Sequence, residues 1–264
     1  MTPVLAEVLG LAQASLWSGF IVFLRVGAML ALVPAFGEQS VPVRVKLALA
    51  VAFTLIVMPA VTADLPALGS GGPAVAPQVA GLIVIETTNG LIFGLMLRFF
   101  ILALQIAGSI AAQSTSLSQL FGGGAGAEPQ PAIGHILIVG GLALAAILGL
   151  HVRLAGFMIQ SYDIVPPGHL PGPQVVAEAG LREVTRCFGL AFTLAAPFVI
   201  ASLIYNVTLG VINRAMPQLM VAFVGAPAIT AGGLILLGIS APLMLSLWSG
   251  ALFDFMSSPF GALP

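Results

Sequence analysis

The sequence predicts an all-α, polytopic membrane fold, and three observations carry that prediction. Apolar residues make up 59% of the chain and charged residues 6%, whereas soluble domains run near a quarter charged. The mean hydropathy is +1.13. Long uncharged stretches recur at 8–24, 47–63, 99–127, 129–150, 187–213 and 215–253. A helix needs about 20 apolar residues to cross a hydrocarbon core of roughly 30 Å, so about six long helices fit, some of them broken. The whole chain, 1–264, reads as a single integral membrane domain.

The first helix is expected over about 7–34, with Arg25 inside it. A turn rich in Pro and Gly follows at 36–42, and Arg44 and Lys46 lead into a second helix that reaches Pro59. Pro42 suits the first turn of that helix. The two cations assign this turn to the cytoplasm, although only eight Lys and Arg exist to define an orientation. The stretch 64–77 reads as an irregular loop.

The third segment, about 78–113, is too long for one span: as a single helix it would measure about 54 Å at the usual rise. The run from Gln218 to Asp254 is also overlong, and Gly225, Pro227 and Pro242 are expected to interrupt it. Either these segments break, or lipid does not bathe them along their length, because irregular backbone at membrane depth survives only inside protein or beside water. Two irregular regions remain, 114–131 with the Gly122–Ala127 run, and 162–174 with four prolines. The second leads to a short polar helix, where Glu178 and Arg182 stand at i,i+4 spacing on a solvated face.

Known catalytic patterns are absent. The glycine run lacks a following Lys-Ser/Thr, and Lys46 is the only lysine, so it is no phosphate loop. His135, His151 and His169 lack metal-ligand spacing, and no Gly-x-Ser-x-Gly elbow occurs. No cofactor is expected. Net charge −1 argues against nucleic acid as a partner. The single Cys187 excludes an internal disulfide and reads as a buried thiol. Residues 1–7 lack the basic region of a cleaved signal, so the first apolar segment is expected to be retained.

The polar groups inside apolar segments are therefore the candidates. Glu86 and Arg98 stand twelve residues apart, about three turns on a straight helix; pairing to other helices is favoured over a proton or ion relay. Gly90 and Gly94 have the spacing that lets helices approach closely. Asn213-Arg214-Ala215-Met216-Pro217-Gln218 forms a polar knot between two uncharged runs. Arg214 must be paired or reach water. Its expected partner is a carboxylate or a set of carbonyls on a neighbouring helix, with Pro217 ending one helix and angling the next.

In order and spacing, these residues resemble the FliR family of flagellar biosynthetic proteins, called SctT in injectisomes. The likeness runs through Phe23-Leu24-Arg25-Val26-Gly27-Ala28, Pro34-Ala35-Phe36-Gly37 and Val41-Pro42-Val43-Arg44-Val45-Lys46. It continues through Glu86 with Gly90 and Gly94, through Gln105 to Gln113, and through Ser161-Tyr162 with Pro166-Pro167-Gly168. It is strongest over Leu209–Leu219, around Asn213, Arg214, Pro217 and Gln218. The resemblance implies a non-catalytic subunit of a type III export gate in the bacterial inner membrane, at the flagellar basal body. It implies FliP-like, FliQ-like and FlhB-like partners, membrane lipid, and unfolded protein as the substrate. The helices would wind into a helical assembly. Arg25, Arg44, Glu86, Gly90, Gly94 and Arg98 become packing candidates.

By position, the family's plug-forming loop falls on about 113–129. Leu120, Phe121, Gly122, Gly123 and Gly124 are the plug candidates, with docking of the loop into the bundle as the plain alternative. The chain departs from the family there: Thr115 stands where a glycine is usual, and Glu128-Pro129 replaces Asp-Pro. Two other readings of the protein stay open: a secondary transporter whose site would use Glu86, Arg98 and Arg214, and the injectisome counterpart of the same subunit. An anchor without a pore leaves the polar knot unexplained.

Overall fold

A computed structural model describes residues 3–38, 40–66, 75–115, 132–216 and 221–259, and all regular structure among them is helical. Helix α1 spans Pro3–Leu30 and α2 spans Val43–Val61. Between them Pro34 blocks a longer α1, since the residue before a proline is pushed out of helical geometry. The following Ala35 adopts a left-handed φ of +69°. Pro42 caps the start of α2, and a 3₁₀ turn, Thr62–Asp64, follows its end.

Helix α3, Val75–Ser114, runs unbroken for 40 residues, about 60 Å at helical rise. It starts inside the stretch expected to be loop. Helices α4, Ala132–Ile147, and α5, Leu150–Ile164, are separated at Gly149, whose φ of +84° only glycine adopts readily. Helix α6 spans Pro173–Ala215 and α7 spans Val221–Ser257.

Two expectations are corrected. The polar stretch with Glu178 and Arg182 is not a separate short helix but the first turns of the 43-residue α6. Glu178 and Arg182 are exposed, while Ala179 and Glu183 on the same turns are buried. The polar face therefore marked one side of a longer amphipathic start, not a free element. Nor do Gly225, Pro227 and Pro242 break the last segment, since both prolines lie inside continuous α7. Each proline removes one amide donor, and in apolar surroundings the remaining backbone groups have no better partner than the helix itself.

By length and composition, five helices among the described residues can each cross a membrane, and the broken pair α4–α5 raises the number to six. The chain divides into two compact units: Met1–Arg98 with Gly149–Gly180 and Met256–Pro264, and Phe99–Leu148 with Leu181–Phe255.

The first unit has a core of Ile21, Val22, Val26 and Met29 from α1, Phe53 and Val57 from α2, Phe93 and Leu97 from α3, and Phe157 and Met158 from α5. Phe93 and Phe157 meet edge to face at 5.9 Å. The α1 residues recur at i, i+1, i+5 and i+8, a single helical stripe. In the second unit, Trp248 is fully buried and its indole donates to the Phe100 carbonyl at 2.7 Å. Helices α3 and α4 come so close that a Cβ on Gly108 would overlap the Gly134 backbone. Small residues permit that approach where no hydrophobic driving force separates protein from lipid.

Candidate functional site

The densest polar cluster in the first unit is built on α3. Glu86, Asn89, Gly90, Phe93 and Gly94 recur at three- and four-residue intervals, so they share one face. The two glycines bring α1 against this face. A Cβ on Gly90 would collide with the Arg25 carbonyl oxygen, and one on Gly94 would lie 2.8 Å from that of Met29.

That approach delivers Arg25, wholly buried, to Glu86, also wholly buried: Nε donates to Oε2 at 2.7 Å. The guanidinium goes further. Its Nη1 donates to the carbonyls of Ser161 at 3.0 Å and Val165 at 2.9 Å. Both carbonyls lie at the C-terminal end of α5, that of Ser161 also accepting the Val165 N–H, and a cation there complements the helix dipole. Tyr162 lies under the group, its ring centre 3.9 Å from the guanidinium carbon. A buried charge is tolerated only when it is paired and hydrogen-bonded in this way.

The second carboxylate oxygen grips the turn that follows α5. Pro166 and Pro167 have no amide hydrogen, so Gly168 supplies the first donor after Val165, and its N–H reaches Glu86 Oε1 at 2.7 Å. The His169 amide closes the turn onto the Pro166 carbonyl. Proline followed by Gly168 at φ +75° is the signature of a type II turn. One turn along α3, Asn89 Nδ2 donates to the His169 carbonyl at 2.8 Å. Arg25, Glu86 and Asn89 thus clamp residues 161–169, the segment that sets where α6 begins. Among the described residues, Arg25 Nη2, Asn89 Oδ1 and Tyr162 Oη have no hydrogen-bond partner.

A second, half-exposed bridge holds the turn after α1. Arg98 Nη1 meets Glu38 Oε1 at 2.5 Å, and Lys46 Nζ donates to the Gly37 carbonyl at 3.0 Å. Glu86 and Arg98 therefore do not meet; each has its partner on another element. Arg44 is exposed. Asn213 and Arg214 sit exposed in the last turn of α6, and nothing among the described residues pairs with Arg214. Pro217, Gln218 and the plug candidates Leu120, Phe121, Gly122, Gly123 and Gly124 lie outside the described residues.

Sequence reasoning named Arg25 and Glu86 without joining them, missed Asn89, and quoted Tyr162 only as part of the family likeness. Asn89 carried a signal, since it stands three residues from Glu86 on the Gly90 face. The carbonyls of Ser161 and Val165 carried none. Cys187 is buried and its thiol contacts the Phe99 carbonyl at 3.2 Å. Among the described residues no group of three His, Cys, Asp or Glu converges to hold a metal. The arrangement fixes helices; it offers no nucleophile–base pair.

The fold and this clamp define a polytopic helical membrane protein whose charges lock helix ends. Residues 16–255 match the family described as "Bacterial export proteins, family 1", and the chain belongs to that family, which includes the flagellar biosynthetic proteins FliR. It is 30% identical over 230 residues to the flagellar biosynthetic protein FliR of Caulobacter vibrioides, covering 87% of this chain and 90% of that one. It is 28% identical to the Escherichia coli K12 FliR over 84% of this chain and 83% of the relative. With the Bacillus subtilis FliR the identity is 29%, over 78% and 79%.

Proposed function

We propose that this FliR-family protein is a structural subunit of the flagellar type III export gate. In this role it acts in the bacterial inner membrane at the basal body. It joins FliP-like and FliQ-like subunits around the channel for unfolded flagellar proteins and touches an FlhB-like protein. Its part is to supply helices and a loop, not catalysis.

The observation that carries this reading is the uneven cover of the long helices. In the most apolar window of α3, 56% is buried within the chain, against 28% for α6 and 17% for α7. Helices α6 and α7 therefore need cover from outside. Lipid alone does not account for Arg214, which has no counter-charge among the described residues and stands at the end of that apolar helix. A neighbouring protein helix accounts for both. The 40-residue α3 likewise suits a protein-walled assembly better than a lone span across roughly 30 Å.

Affinity purification of the chain from cells carrying its native operon tests the reading. A gate subunit recovers FliP-like and FliQ-like proteins in fixed ratio. A secondary transporter runs alone or as a small homo-oligomer and catalyses solute uptake in vesicles, and that result would overturn the proposal. Loss of motility, as against loss of injectisome secretion, on deletion assigns the machine.

A further inference from the structure

Within the second unit, α6 and α7 leave between them an open groove of ≈ 340 Å³, lined by Ala201, Ser202 and Tyr205 from α6 and by Ala228, Gly232 and Ile235 from α7. Small residues keep it open, and a Cβ on Gly232 would meet nothing within 4 Å. The α6 edge of the groove is polar. Ser202, Asn206 and Gly210 follow at four-residue steps, with Asn213 three residues further, so they share one face of the helix. Asn206 is exposed, and its Nδ2 donates to the Ser202 carbonyl at 2.8 Å and to Ser202 Oγ at 3.2 Å. A carbonyl only accepts, so the amide cannot be turned round. Its Oδ1 is left without a donor among the described residues, on a side chain that a partner can reach.

We propose that this groove and its polar edge seat one transmembrane helix of a neighbouring gate subunit, uncharged along its middle and carrying Ser, Thr, Asn or Gln a turn apart. The inference rests on the export-gate reading above and adds the face and the chemistry of the contact. A lipid chain would fill the groove but leave the Asn206 and Asn213 carboxamides without partners, which is costly at membrane depth. Water would serve the carboxamides but not the groove, where the Thr115 and Tyr205 hydroxyls already donate to the Ala111 and Gly225 carbonyls. A helix meets both demands, since small residues admit a close backbone and side-chain amides and hydroxyls bond across helices. A cation is the wrong donor. Residues 187–213 and 215–253 hold no charge, so no carboxylate stands along the groove, and Arg214 at its end repels a second positive charge.

The test compares the complex purified from cells carrying the native operon with the chain purified alone in detergent. Asn206→Leu should leave the melting temperature of the isolated chain unchanged or raised, because the position is exposed and leucine is the better helix former. In the complex it should weaken retention of FliP-like and FliQ-like proteins about five- to tenfold, as loss of one hydrogen bond at a desolvated acceptor gives. Gly232→Leu, which fills the groove from the other helix, should do the same. Asn206→Cys should react with a water-soluble maleimide in the isolated chain, whose one native thiol, Cys187, is buried, and should be protected in the complex. Undiminished retention in both leucine variants, or equal labelling of Asn206→Cys in the two preparations, would overturn the proposal. So would a disulfide-linked dimer of Asn206→Cys in the complex, which places a second copy of this chain on the groove. If the unsubstituted chain retains no such proteins, the export-gate reading fails and this inference with it; if it retains them and the variants do so equally, this inference alone fails.

Discussion

Arg25 Nε lies 2.7 Å from Glu86 Oε2, and both side chains are 0% exposed. The pair joins helices separated by 61 positions in the chain and holds the end of a third. Its remaining hydrogen bonds go to backbone: Arg25 to Ser161 and Val165, Glu86 to Gly168. Removing either partner therefore strands a buried charge and releases a turn at the same time.

Glu86→Gln is expected to lower stability by about 3–5 kcal/mol, the range for breaking one side of a buried ion pair. The amide keeps an oxygen for the Gly168 N–H, so the loss reports the charge, not the turn. Arg25→Met with Glu86→Met should recover part of that loss, since neither variant charge is then stranded. Unfolding of the purified chain in mixed detergent, read by tryptophan fluorescence, measures both variants. Equal stabilities for Glu86→Gln and the unsubstituted protein would mean that Arg25 finds another acceptor.

Gly90 and Gly81 form a controlled pair on α3. A Cβ at Gly90 collides with the Arg25 backbone carbonyl, which cannot swing aside as a side chain does, whereas at Gly81 nothing lies within 4 Å. Gly90→Ala should destabilise by about 1–3 kcal/mol or more through overpacking. Gly81→Ala should stabilise by about 0.5–1 kcal/mol, the usual gain for alanine in a helix interior. Opposite shifts in melting temperature are the expected result.

Ala35 holds a left-handed φ of +69° in the turn between α1 and α2. A left-handed alanine carries roughly 1–2 kcal/mol of strain, while glycine loses more conformational freedom on folding. Ala35→Gly should therefore stabilise by a net amount of about 0.5–1 kcal/mol. Ala35→Val, whose branched Cβ suits this geometry worse, should destabilise, and the melting temperatures should rank Gly above Ala above Val.

The helical class was legible because hydropathy over a window of about 20 residues is a local property. The spacing of Gly90 and Gly94 pointed to some close helix approach, but nothing in it named α1 as the neighbour. The continuity of α3 and α7 was not legible: Pro227 and Pro242 are breakers by local rule, and only apolar surroundings keep the helix intact. The clamp was half legible. A charge such as Arg25 inside an apolar run announces that it needs a partner, yet a partner 61 positions away is chosen by packing. Backbone acceptors such as Ser161 and Val165 have no sequence signature at all.

Leu120 and Phe121 test the plug role proposed for 113–129, which rests on the resemblance alone. Replacing both with glycine in the assembled gate should open a leak for small ions, detected as membrane depolarisation or as conductance in planar bilayers. The glycine pair keeps the chain length and removes only the apolar bulk. Conductance equal to that of the unsubstituted gate counts against the role.

Arg214 carries the last prediction. It ends α6, exposed, with no counter-charge among the described residues, and the hairpin leading to it exposes Leu203, Ile204, Val207 and Val211. A guanidinium in such a setting is stable only with a carboxylate, a cluster of carbonyls or water at hand. If the partner belongs to another subunit, Arg214→Ala leaves the isolated chain as stable as before but strands the partner's group, and recovery of FliP-like and FliQ-like proteins falls several-fold or more. Arg214→Lys keeps the charge and loses the planar fork, so it should restore assembly only in part. A loss of stability in the isolated chain would instead place the partner within this protein. Intact assembly and motility in Arg214→Ala would show that Arg214 simply reaches water.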